Sequence, residues 1–159
     1  MTALLAQAPS WLHSSSMPPV AALRTAAGMA RLHVRAVLAE WGVDTGTSED
    51  MELIVSELVG NAVNASTGSD GRPLYGLGGL VLPVQVYLYT DGARLLAEIW
   101  DEAPGQPYSR PPGSLEENGR GLTMIRELGA RWGWWQRGNR KCVWAEMPLG
   151  SDDAMALAG

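Results

Sequence analysis

Glu57, Asn61 and Asn64 stand at i, i+4 and i+7 in the run from Met51 to Ser66, among Leu53, Ile54, Val55, Leu58, Val59, Ala62 and Val63. On a helix that spacing puts all three polar groups on one face of an otherwise apolar segment. Burying a carboxylate or a carboxamide without a partner costs roughly 2–7 kcal/mol, so the stripe asks for a ligand or for water. Side chains four apart have Cβ atoms about 5–6 Å apart, and a carboxylate and a carboxamide oxygen can converge on one hydrated cation or phosphate edge. The chemistry indicated is Mg-nucleotide handling. The plain alternative is a solvated helix face, because Glu-x3-Asn is common, and the decision rests on residues further along the chain.

Two further groups lie downstream. Asp101 ends an apolar segment and opens the pattern D-x-A-x-G with Ala103 and Gly105. A buried, ionised carboxylate at a strand end accepts from the exocyclic N6 amine of adenine, and small residues beyond it let the backbone approach the ring. Taken alone, the same residues are a turn-forming aspartate before a Pro-Gly loop. Gly119-Arg120-Gly121 then precedes Leu122 at the start of an amphipathic segment. Unpaired N–H groups and the positive end of a helix dipole attract phosphate oxygens there. Arg120 faces a phosphate, a partner protein or solvent; its position leaves all three open. The glycine-rich stretch from Ser66 to Leu80 has no Lys-Ser or Lys-Thr after it and leads into a strand, so it reads as a flexible linker and not as a phosphate loop.

These groups need elements to hold them. Residues 1–19 lack periodicity and read as a loose arm or a short leading strand. An amphipathic helix is predicted from Val20 to Trp41, stopped by Gly42, and "DTGTSED" supplies turn and cap residues for a second helix from about Glu49 to Ala65. "VLPVQVYLYT" and "ARLLAEIWD" read as strands joined by a tight Asp91-Gly92 turn. Pro104, Pro107, Pro111 and Pro112 exclude regular structure between Glu102 and Asn118, a stretch long enough for a lid. A third helix comes next, ending near Gly133, then a hairpin around Gly138-Asn139 and a tail over residues 150–159 that reads as disordered. Residues 20–149 form the expected folded domain. The order predicts an α+β two-layer sandwich, a mostly antiparallel mixed sheet with about three helices on one face.

Composition bounds the function classes. At 159 residues the chain suits one domain, and 46% hydrophobic with 18% charged residues is globular. A net charge of −5 without a Lys/Arg cluster excludes nucleic acid as the main partner. A single cysteine, Cys142, excludes an intramolecular disulfide, and its apolar surroundings mark a buried structural thiol. No export signal or membrane span is legible, so a cytoplasmic location is expected. His33 lies in the first helix without the surroundings of a phosphoacceptor and is assigned no chemistry. Of seven tryptophans, Trp134 and Trp135 must face opposite ways on a strand, one toward the core and one more exposed.

Order and spacing together resemble a known family. "SELVGNAV" resembles the N-box, "WDEAPG" the G1 box and "ENGRGLTMI" the G2 box of the GHKL (Bergerat-fold) ATP-binding superfamily, and "VWAEMPL" its closing strand. Within it the chain is similar to the small bacterial anti-sigma-factor serine kinases of the RsbW type, over about Val20 to Leu149. The resemblance implies the Bergerat, histidine-kinase-like ATPase fold with ATP and Mg2+ as cofactors. It implies Glu57 as the general base, Asn61 as the Mg2+ ligand and Asp101 as the adenine acceptor. Ala103, Gly105, Gly119, Arg120, Gly121 and Leu122 are the remaining implied cofactor-binding positions. Many relatives carry Gly where Ala103 stands and His where Ala65 stands. The implied function is an ATP-dependent protein serine kinase and anti-sigma factor. Its implied partners are a sigma factor and an anti-anti-sigma protein of the STAS type, with homodimer formation a family tendency and no direct nucleic-acid or membrane contact. The alternative is a non-catalytic ATP-binding module that binds a protein partner. A sensor histidine kinase is disfavoured because no acceptor-histidine helix, sensor or membrane segment is legible.

Overall fold

Apolar residues recur with a helical period in the first half of the chain and with a two-residue period in the second, and this separates the layers. The computed structural model describes residues 10–105 and 117–150, with residues 117–121 by their backbone alone. The elements run β1 (His13–Ser16), β2 (Val20–Ala21), α1 (Thr25–Glu40), α2 (Thr45–Ala65), β3 (Pro83–Thr90), β4 (Arg94–Asp101), α3 (Glu117–Glu127), β5 (Arg131–Arg137) and β6 (Arg140–Pro148). The sheet has six strands in the order β1-β3-β4-β6-β5, with β2 also paired to β3. Every pairing is antiparallel; for β3–β4 and β5–β6 the tight hairpins that join them require it. The three helices and the open antiparallel sheet make the expected α+β sandwich, without the parallel pair that a mixed sheet would contain among the described residues.

Strand parity sets the core. Val84, Val86 and Leu88 of β3, Leu95, Ala97 and Ile99 of β4, and Val143, Ala145 and Met147 of β6 are buried. They join Ala26, Ala30, Val34 and Leu38 of α1 and Met51, Ile54, Val55, Leu58 and Val59 of α2 in one cluster. Across the sheet from them lie aromatic residues, and no helix is needed to cover these. Trp100 and Trp135 both register with Cys142 from opposite sides, and over that small side chain their rings meet edge to face, 4.6 Å between centroids at 88°. Burial and the nearby Glu98 carboxylate, which accepts from Sγ at 3.4 Å, push the Cys142 thiol far up, so it is inert.

Several features differ from expectation, each for a local reason. Val20 and Ala21 pair with Val84 and Pro83, so α1 starts only at Thr25. Asp44, the first candidate cap, is the one used: its Oδ1 accepts from the Thr47 N–H at 3.0 Å, and α2 therefore begins at Thr45. Gly129, at φ +79°, ends α3 early: its N–H donates to Arg126 O and the Ala130 N–H to Ile125 O, a Schellman closure. Arg131 to Gly133 are thereby released into β5.

A further difference concerns the expected linker. Residues 66–80 are an ordered arm, held by Leu74 N–H to Ser66 O, Gly68 N–H to Arg72 O and Gly76 N–H to Leu80 O, each at 2.8 Å. Gly71, Gly78 and Gly79 take the positive φ its turns require. Its outer end carries Tyr75, Leu77 and Leu80 exposed to solvent. Of the expected lid from Glu102 to Asn118, residues 106–116 lie outside the described residues, as do residues 1–9 and the tail beyond residue 150, while Glu117 and Asn118 belong to α3. Among the described residues no helix is long and apolar enough to cross a membrane.

Candidate functional site

Parity along β4 turns Asp101 inward, where it is 4% exposed and sits in register between Val84 of β3 and Lys141 of β6. Its Oδ1 accepts the Ala103 N–H at 2.9 Å and lies 3.4 Å from Lys141 Nζ. Burial pushes the carboxyl above its usual range; the Ala103 N–H and the Lys141 ammonium pull it back without overcoming that cost. Ala103 is buried and Gly105 sits at φ +86°, where a side chain would be strained. In D-x-A-x-G, then, the backbone bond at Ala103 orients the acid, and Gly105 makes the turn out of the strand.

α2 lies over the helix-facing side of the sheet and touches both β4 and α3, the elements that carry the other two motifs. Glu57 and Asn61 are half-buried, whereas Asn64 and Ala65, at the C-terminal end of the helix, are exposed. Among the described residues Glu57 has no hydrogen-bond or ion-pair partner, while Asn61 has an interaction within the chain. The nearby acid Glu52 serves the scaffold instead. It is 7% exposed and takes a two-point bond from Arg35, Nε at 3.1 Å and a terminal nitrogen at 2.8 Å, tying α2 to α1.

The third motif is shifted along its helix. α3 begins at Glu117, so Gly119 is the last residue whose N–H a helix start leaves unpaired, and Arg120 and Gly121 already lie within the intrahelical hydrogen-bond ladder. Leu122 packs against the hydrophobic core. Among the described residues no group of three or more His, Cys, Asp or Glu side chains is poised to hold a metal. Mg2+ suits this donor set nonetheless, since it keeps most of its waters and binds through phosphates and one or two protein oxygens, a number Asn61 and its neighbourhood can supply.

Lys141 escaped the sequence reading, although a signal was there. It shares parity with Val143, Ala145 and Met147, so a lysine at that position had to face inward. A cavity of about 250 Å³ beside Asp101 is lined by Pro19, Pro83, Gln85, Trp100, Asp101, Glu102 and Arg140. It includes neither Glu57 nor Asn61, and the Arg140 guanidinium stacks 4.7 Å above Trp100 beside it. His33 is a packing residue, its Nε2 3.3 Å from Ser15 Oγ, and burial lowers its basicity.

The model of one family, the histidine kinase-like ATPase domain, matches residues 20–147. The chain belongs to that family. No curated protein matches it in sequence. Among solved structures, the histidine kinase domain from the Erythrobacter litoralis EL346 blue-light activated histidine kinase is 18% identical, with a TM-score of 0.49 over 87% of this chain. The chain spans 65% of that protein's length. The catalytic domain of histidine kinase ThkA is 12% identical, also with a TM-score of 0.49, over 89% of this chain and 99% of that one. Such distant likenesses carry no argument beyond the family match. A histidine kinase-like ATPase domain falls within the GHKL superfamily.

Proposed function

We propose that this histidine kinase-like ATPase domain is an ATP-dependent protein serine kinase and anti-sigma factor, phosphorylating an anti-anti-sigma protein of the STAS type on serine within a partner-switching pathway. The observation that carries the reading is Glu57: a half-buried carboxylate without a partner among the described residues, one turn from Asn61 on a helix packed over the strand that ends in Asp101. An unpaired acid at that position is available to take a proton from an incoming hydroxyl.

In this reading Asp101 accepts from N6 of adenine and fixes the base, and Asn61 holds the metal by its carboxamide oxygen. The backbone N–H of Gly119, at the start of α3, faces the phosphates. Mg-ATP supplies the γ-phosphoryl group when bound. Glu57 accepts the proton of the acceptor serine as its oxygen bonds to the γ-phosphorus; the bond from that phosphorus to the β–γ bridging oxygen breaks, and ADP departs with the electron pair. The proton on Glu57 then returns to solvent. Catalysis here is positioning and charge neutralisation, with no covalent enzyme intermediate.

Incubating the pure protein with labelled ATP, Mg2+ and candidate STAS-type partners tests this. Label should move to a partner serine and fall by at least about 10²-fold in Glu57→Ala. Unaltered transfer in that variant removes Glu57 from the mechanism. The second reading, a nucleotide-binding module without transfer, is favoured by the cavity beside Asp101, whose lining includes neither Glu57 nor Asn61. It prevails if ATP binds and no partner is labelled.

A further inference from the structure

Lys141 is 2% exposed, and its ammonium lies beside a carboxylate that is itself almost fully buried. Burying such a pair usually stabilises a fold no better than apolar residues of the same volume would, so its presence at the proposed base acceptor calls for a ligand-facing reason. The geometry supplies one. Asp101 and Lys141 are direct cross-strand partners, which fixes both side chains at adjacent strand positions on the helix-facing side. The Ala103 N–H and the Lys141 ammonium both fall on Oδ1 of Asp101, so Oδ2 is the oxygen left to meet a base. The ammonium has three donors and uses one of them on Asp101. Acid and ammonium thus present an acceptor and a donor side by side.

Adenine offers the complementary pair. Its N6 amine donates, and the ring nitrogens flanking that amine, N1 and N7, accept. We propose that Lys141 is a base-reading residue, donating to a ring nitrogen next to N6 while Asp101 accepts from N6 itself. The inference rests on the nucleotide-binding reading above. It also gives a direction of selectivity: guanine in the same pose sets its O6 against the carboxylate, and, if N1 is the nitrogen read, its N1–H against the ammonium. Like then meets like, and the cost of unpaired buried groups falls on the wrong base.

Titration calorimetry of the wild-type protein with Mg-ATP, Mg-GTP and the magnesium complexes of 1-deaza-ATP and 7-deaza-ATP tests the proposal. One deaza analogue should bind at least about tenfold more weakly than ATP, the size expected for one hydrogen bond to a charged group, and GTP more weakly still. In K141M that analogue should bind within about twofold of ATP, because the donor it could not satisfy is gone. Should K141M fail to fold, the wild-type comparison decides alone. The proposal is overturned if both deaza analogues bind wild type as tightly as ATP, or if K141M keeps the same analogue penalty; the nucleotide-binding reading survives either result. If no nucleotide binds wild type at all, that reading falls and the inference with it.

Discussion

Removing the Lys141 ammonium should cost more stability than its single contact suggests, and the cost should depend on pH. At the 3.4 Å separation of Nζ and Oδ1 the gross attraction is ~5 kcal/mol for an effective dielectric constant of about 20. Desolvating the two ions takes back a comparable amount, so the pair contributes little net stability. Lys141→Met leaves Asp101 buried beside a methyl group, and losing one partner of a buried pair costs about 3–5 kcal/mol. Replacing both, Asp101→Leu with Lys141→Met, should be near neutral, which means a large coupling energy between the sites. The sign of the pH effect is set by Asp101. Burial holds its carboxyl above the ordinary 3.8, so the folded chain binds this proton more tightly than the unfolded chain does. Its contribution to stability is therefore greatest at acid pH and is lost as pH rises through the folded value. Without the ammonium that value moves higher, so the deficit of Lys141→Met relative to wild type should be smallest in acid and grow toward neutrality. Urea unfolding of the four proteins of the cycle, followed by tryptophan fluorescence at several pH values, measures both effects. A Lys141→Met deficit below about 1 kcal/mol at neutral pH, or a double variant as unstable as the sum of the singles, would refute the reasoning.

Three other changes probe the frame around the site. A Cβ at Gly133 would lie 2.6 Å from the indole of Trp144, so Gly133→Ala should lose about 1–3 kcal/mol in chemical denaturation. Making the same change in a Trp144→Leu background should cost much less, and an equal cost would rule out the steric explanation. Asp44→Ala removes the cap of α2 and should lose about 1 kcal/mol, seen as a lower melting temperature with nucleotide absent. Leu77→Asp at the outer end of the arm should change stability by less than about 0.5 kcal/mol, because Leu77 is fully exposed; a larger loss would mean that the arm packs on the body of the fold.

What the sequence disclosed was whatever a period or a spacing encodes. α2 and the two hairpins were legible because helical spacing in "MELIVSELVGNAV" and alternation in "PVQVYLYT" are both long and regular. The buried acid of β4 was legible because Asp101 ends such an alternation. Its partner was not, since a lysine reads as solvated unless its parity with Val143 and Ala145 is counted and the register between β4 and β6 is known. The arm was misread as a linker because glycine gives the same composition to a loose chain as to a string of positive-φ turns. α3 was drawn too long because Gly129, its true stop, sits inside a segment whose apolar spacing continues past it.

The contact of Trp100 with Trp135 has a practical consequence. The two indoles belong to strands that never touch, since β6 runs between them, and they meet only above Cys142. Their electronic transitions couple only when all three strands have found their alignment. A circular-dichroism couplet from this pair would therefore rise late in refolding, as an optical timer of sheet closure separate from the growth of the helices.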